Sequence, residues 1–116
     1  MKHSGISTSA CPIYSIIEKL SKRWTLLILR VFMERRKLRF SEILEALPQI
    51  NTHILSKRLS ELEKEGLIIR TVTHTKPIVI SYDLSAKGSA LEAVFDHFAA
   101  WAKTGGKDVT VKHRAE

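Results

Sequence analysis

The chain has 116 residues, 19 of them Lys or Arg and 12 Asp or Glu, for a formal charge of +7 and a pI near 9.8. With 44% hydrophobic and 27% charged residues, it reads as one small soluble globular domain rather than a disordered segment, and its positive surplus makes polyanions the first partners to consider. No run of about 18 apolar residues occurs and no charged-then-apolar leader opens the chain, so neither a membrane span nor secretion is expected and the cytoplasm is the predicted location.

Residues 1–11, with Ser4, Gly5, Ser7, Thr8 and Ser9, carry no hydrophobic period and are expected to form a flexible arm. The arm ends at Cys11, the only cysteine, which excludes an internal disulfide and a cysteine-based zinc ribbon or finger. Ile13, Ile16, Ile17 and Leu20 then recur at helical spacing, predicting a short amphipathic helix over about 13–20 with Pro12 acceptable in its first turn. From Lys22 to about Glu34, Trp24, Leu27, Ile28 and Val31, thickened by Leu26 and Leu29, predict the most buried helix. The charge run Glu34-Arg35-Arg36-Lys37 breaks that pattern as a solvated turn.

Ser41 is a suitable N-cap for a short helix through Ile43, Leu44 and Leu47. Pro48-Gln49-Ile50-Asn51 marks a tight turn, with Asn51 placed to cap the next helix. There Leu55, Leu59 and Leu62 lie at i, i+4 and i+7, so they face inward and leave Thr52, His53, Ser56, Lys57 and Ser60 outside or on the flanks. Gly66 supplies the left-handed residue that ends this helix. Two short helices joined by a tight turn, the second with a polar outer face, make a helix-turn-helix.

After Gly66 the period becomes strand-like. Leu67 to His74 is rich in Ile, Val and Thr, and Ile78, Ile80, Tyr82 and Leu84 alternate with Val79, Ser81 and Asp83, which predicts a hairpin with one buried face and Thr75-Lys76-Pro77 at its tip. A hairpin directly after a helix-turn-helix suggests a winged helix. Ser85 is placed to cap one more helix, with a stripe of Leu91, Val94, Phe95, Phe98 and Trp101, ending near Gly105-Gly106. This stripe is larger than one small domain needs, which favours packing on a second copy of the chain over packing on the chain's own first helices. The expected organisation is an arm over 1–11, one domain over 12–104 and a solvated tail over 105–116. The fold class is mainly α with a small β-hairpin.

From Cys11 to Trp101 the chain resembles the HxlR-type winged helix-turn-helix transcriptional regulators of bacteria and archaea. The resemblance is carried by Cys11-Pro12, Trp24-Thr25-Leu26-Leu27-Ile28-Leu29, Arg39-Phe40-Ser41-Glu42-Ile43, Leu55-Ser56-Lys57-Arg58-Leu59, Leu62-Glu63, Gly66-Leu67-Ile68, Pro77, Tyr82, Leu84 and Gly88. The chain departs from the family at Lys22-Arg23, where Gly-Lys often precedes the tryptophan, and at Gln49 and Asn51, where Gly and Ser often stand in the turn. The resemblance implies a double-stranded DNA partner, a recognition helix in the major groove, a wing along the backbone, and a homodimer joined mainly through the first and last helices. That assigns Ile13, Ile16, Ile17, Leu91, Val94, Phe95, Phe98 and Trp101 to the dimer interface.

On this resemblance Thr52, His53, Ser56 and Lys57 are the candidates for base edges and phosphates, because short polar and basic side chains in the N-terminal half of a helix reach into the major groove. The plainer role of Thr52 and Ser56 is to cap or solvate the helix. Arg58 either meets a phosphate or pairs with Glu61, its neighbour three residues on. Arg39 and Ser41 are placed to meet backbone phosphate. Lys76 enters the minor groove, tracks a phosphate, or stands as a free loop lysine. In some relatives a cysteine at the Cys-Pro position senses oxidants or electrophiles, and Lys19, Lys22 and Arg23 would favour a Cys11 thiolate if they fold beside it; otherwise Cys11 is a small packing residue.

His3, His53, His74, His97 and His113 show no metal-ligand spacing. No phosphate loop, nucleophile triad or paired-carboxylate site can be assembled, so neither an enzyme nor a bound cofactor is expected. A small-molecule effector has no residue-level signal. The alternative to a DNA-binding regulator is a winged-helix module that binds another protein.

Overall fold

The computed structural model describes residues 12–106. Helix α1, Pro12–Leu20, begins with proline, whose missing N–H and fixed φ suit a first turn. It closes as the Ser21 N–H and hydroxyl both donate to the Ile17 carbonyl. Helix α2, Thr25–Glu34, starts three residues later than the apolar spacing predicts, because Trp24 adopts a left-handed conformation at φ 80° and cannot continue a right-handed helix. Periodicity reports side-chain faces and is blind to that reversal.

The inward face of α2 is Thr25, Ile28, Leu29 and Phe32, while Leu26 and Leu27, counted with the buried stripe by spacing, are exposed. Lys37, also at positive φ, turns the chain into a two-residue strand, β1, Leu38–Arg39, too short to show any period in the sequence. Helix α3, Phe40–Ala46, is capped by Arg39 rather than Ser41: the Glu42 carboxylate reaches back to accept the Arg39 N–H at 2.8 Å. Ser41 lies in the first turn instead.

Residues 47–51 form the turn to α4, Thr52–Lys64, and Ile50 plugs this turn into the core. As expected, Asn51 caps α4, its Oδ1 accepting the Ile54 N–H at 2.8 Å. Leu55, Leu59 and Leu62 are buried along one stripe. Gly66, at φ 77°, ends the helix in a Schellman motif, with its N–H on the Glu63 carbonyl and the Leu67 N–H on that of Leu62.

Strands β2, Ile68–Val72, and β3, Ile80–Leu84, pair antiparallel with Ile68 opposite Leu84 and Val72 opposite Ile80. The hairpin is one part of a three-stranded sheet, because β1 adds to the free edge of β3 in the order β1-β3-β2. Only the base of the hairpin belongs to the core. Ile68 and Leu84 are buried, but Ile78 precedes β3 and is 67% exposed, and Ile80 is 37% exposed, so the alternation expected to bury both fails toward the hairpin tip.

The C-terminal helical stretch divides in two. Ser85 caps a single turn, α5, Ala86–Ser89, its Oγ accepting the Gly88 N–H at 3.0 Å, and α6, Glu92–Thr104, follows after Leu91. Gly88 fits against the start of β2, where a Cβ at that position would stand 2.1 Å from the Leu67 carbonyl oxygen. The core cluster of Ile28, Leu29, Phe32, Ile43, Leu55 and Leu59 is covered by α2, α3, α4 and the sheet, each fully buried side chain contributing roughly 1.5–3 kcal/mol. Neither α1 nor α6 has a fully buried residue. Gly88→Ala should lower stability by about 3 kcal/mol, since a rigid backbone oxygen has to give way, and this is read as a lower urea midpoint at unchanged slope.

Candidate nucleic-acid interface

Burial of the leucine stripe turns the opposite side of α4 to solvent. Thr52, His53, Ser56 and Lys57 are all exposed there, and their spacings of three and four place them on one helical face in its N-terminal half. At about 1.5 Å per residue α4 is about 20 Å long, and a helix of this diameter fits a major groove. The Asn51 cap holds the first turn of α4 in register with the turn from α3.

The other expected contacts occupy different supports. Arg39 and Ser41 are exposed at the start of α3, Arg39 being held in the sheet opposite Ser81. Lys76 is exposed at the wing tip, where the Thr73 Oγ1 accepts the Val79 N–H at 2.8 Å and the Thr73 N–H donates to the Val79 carbonyl at 2.9 Å to close the loop. Arg58 differs from the rest. Its side chain turns inward, with Nε donating to the Arg23 carbonyl at 2.8 Å and Nη1 to Glu61 at 3.3 Å, so the expected Glu61 pair is present.

Ion pairing sorts the basic residues. Lys19, Lys22, Arg30, Arg36 and Arg58 are matched with Glu65, Glu61, Glu34, Asp83 and Glu61 respectively. Among the described residues, Arg39, Lys57 and Lys76 have no carboxylate partner, and neither does Arg70, an exposed cation on β2 that sequence reading passed over. Its signal was a lone charge inside an Ile-Val-Thr run, which β propensity treats only as an interruption. Unneutralised side chains are the ones free to exchange counterions for phosphates.

Cys11 lies outside the described residues. Of the cations named with it, Lys19 pairs with Glu65, Lys22 pairs with Glu61, and the Arg23 guanidinium sits 5.5 Å over the Trp24 ring.

The predicted interface residues of α1 and α6 form a second surface. Leu91 and Phe95 pack against the core, and Phe95 meets Phe98 edge to face at 6.4 Å between ring centroids. Ile16 is half-buried, whereas Ile13, Ile17, Val94, Phe98 and Trp101 are exposed, with 57% of Phe98 and 56% of Trp101 in solvent. Between the helices runs an apolar groove of about 430 Å³ lined by Ile13, Ile17, Leu26, Val94 and Phe98, among others. The Tyr14 phenol on α1 is raised above its ordinary pKa by desolvation and, second, by the Glu18 carboxylate. No helix among the described residues is long and apolar enough to cross a membrane.

The family model for HxlR-like helix-turn-helix proteins matches residues 19–109, from the end of α1 through the sheet and α6. The chain belongs to the HxlR family. The HTH-type transcriptional regulator YodB of Bacillus subtilis (strain 168) is 41% identical over 98 residues, covering 84% of this chain and 87% of YodB. The solved reduced form of YodB from B. subtilis superposes with a TM-score of 0.75 at 40% identity, over 84% of this chain and 95% of that one. The reduced form of the redox regulator HypR has a TM-score of 0.73 at 25% identity, over 84% and 95% of the two chains. This HxlR chain therefore has the winged-helix fold of these regulators, with β2 and β3 as the wing.

Proposed function

We propose that the protein is a sequence-specific DNA-binding regulator of transcription that acts in the cytoplasm as a homodimer on a pseudo-palindromic operator. The observation that carries this is the pairing of an outward polar and basic face on α4, with Lys57 unneutralised, and a separate uncovered apolar face on α1 and α6. On the first face Lys57 donates to guanine or phosphate, Thr52, His53 and Ser56 address base edges, Arg39 and Ser41 take backbone phosphate, and Lys76 and Arg70 follow the backbone along the wing. On the second, two copies bury Ile13, Ile16, Ile17, Val94, Phe98 and Trp101 together around the half-buried Leu91 and Phe95. A two-fold axis there presents two recognition helices to half-sites one helical turn, about 34 Å, or more apart. An acidic or apolar surface on α4 would favour a protein-interaction module; the polar face with Lys57 supports the DNA reading.

Redox control through Cys11 is the regulatory part of the proposal. Solved YodB structures include reduced, diamide-treated and quinone-bound forms, and HypR is described in reduced and oxidised forms. Cys11 directly precedes Pro12, the first residue of α1, so a bond at its sulfur acts on a helix that belongs to the proposed dimer face. With no other thiol in the chain, a disulfide joins two chains or one chain and a small thiol.

Lys57→Ala should weaken binding to a selected duplex about tenfold and reduce the slope of log affinity against log salt by about one, measured by anisotropy at several salt concentrations; an unchanged affinity and slope would remove Lys57 from the interface. Phe98→Asp places a charge in the apolar face and should convert dimer to monomer in analytical ultracentrifugation while leaving the helical circular dichroism intact. For Cys11→Ser, the expected outcome is loss of the diamide-dependent change in DNA affinity; a variant that still responds as the parent does would show that Cys11 is not the sensor.

A further inference from the structure

Arg58 follows Lys57 on α4, yet only 12% of its side chain is exposed. Besides the bond from Nε to the Arg23 carbonyl, its Nη1 reaches both oxygens of Glu61, at 3.3 and 3.4 Å. Glu61 also takes Lys22 at 3.3 Å, and Glu65, one turn further, takes Lys19 at 3.3 Å. Three contacts thus cross from α4 to residues 19–23, which lead from α1 into α2.

The segment they hold ends in the left-handed Trp24, with the Arg23 guanidinium over its ring. A hollow lined by Arg23, Trp24, Gln49, Asn51, Ile54 and Arg58 sets this turn beside the start of α4. A bulky residue in that conformation is strained and persists only where its surroundings over-determine it. The Arg58 bond to the carbonyl immediately before Trp24 is one such restraint.

We propose that Arg58 and Glu61 are positioning residues for DNA recognition: they clamp α4 to the Lys22–Trp24 turn and so set the rotation at which the Thr52–Lys57 face meets the groove. The inference rests on α4 being the DNA-reading helix. Its physical basis is directional. Burial of Leu55, Leu59 and Leu62 is favourable over a range of small rotations of α4, because hydrophobic burial has no preferred direction. Charge-assisted hydrogen bonds to a planar guanidinium keep their strength only in one geometry, and they select a single rotation from that range.

Electrostatics alone predicts the opposite response at Glu61. Its carboxylate is an anion on the helix that approaches phosphate, so any neutral replacement would tighten DNA binding. Glu61→Ala removes both the charge and the acceptor, whereas Glu61→Gln removes the same charge but keeps an oxygen for Arg58. The probe is the duplex that the parent enriches from a random-sequence pool, beside a scrambled duplex of equal length. Glu61→Ala is expected to bind the enriched duplex about tenfold more weakly and the scrambled one within about twofold of the parent, at unchanged salt slope, with Glu61→Gln recovering most of the loss. Retained affinity for the scrambled duplex reports an intact fold. Arg58→Lys keeps the charge but can satisfy only one of the two acceptors, so it too should lose enriched-duplex affinity at unchanged slope. Equal affinities for the Ala and Gln variants, tighter binding by both, or parent-like binding by Arg58→Lys would overturn the clamp while leaving DNA recognition standing. A parent that enriches no sequence would overturn the reading of α4, and the clamp with it.

Discussion

The inward pull on Leu55, Leu59 and Leu62 is the constraint from which the candidate function follows. These side chains give α4 one apolar stripe, and burying it against Ile28, Leu29, Phe32 and Ile43 leaves the helix no choice about which side meets solvent. Thr52, His53, Ser56 and Lys57 are outward because the leucines are inward. The Asn51 cap, the buried Ile50 and the Schellman ending at Gly66 then fix where α4 begins and ends, and the wing follows directly from that ending.

Charge follows a second division of labour. Glu61 of α4 and Glu65 just beyond it neutralise Lys22 and Lys19 and tie that segment to the helix, while Lys57, Arg39, Arg70 and Lys76 stay unmatched. Exposed pairs of this kind contribute little to stability, in the range of about 0–1 kcal/mol each. Their consequence is spatial, since Arg39, Lys57, Arg70 and Lys76 keep their charge unmatched on the proposed face, as Arg35, Lys37, Lys64, Lys87 and Lys103 do elsewhere. Arg58 shows that proximity to the basic face is not membership of it, because its guanidinium is spent on the Trp24 turn.

The two outer helices answer to a different requirement. A core built by α2, α3, α4 and the sheet takes Leu20 from α1 and Leu91 and Phe95 from the C-terminal region, so Ile13, Ile17, Val94, Phe98 and Trp101 are surplus to a single chain. Contiguous apolar surface of that kind is uncommon on a monomer and marks a site of association. It is the face assigned to the proposed homodimer and is distinct from the polar face of α4, while Lys19 at the end of α1 pairs with Glu65 just beyond α4.

Local patterns in the sequence determined the helix-turn-helix, the wing, the inward stripe of α4, the caps at Asn51 and Ser85, the stop at Gly66 and the family, because spacing, capping chemistry and glycine at positive φ act over a few residues. Only the tertiary structure decided the rest. Strand β1 is two residues long and exists through its pairing with β3; the late start of α2 depends on a backbone reversal at Trp24; and Glu42 displaced Ser41 as the capping group. Ile78 and Ile80 have the right period for a core strand but are exposed near the hairpin tip. The inward turn of Arg58 required Arg23 to arrive from 35 positions away in the chain, and no pattern within α4 carries that information. Periodicity states which side a residue faces; what stands there to meet it is settled when distant segments pack.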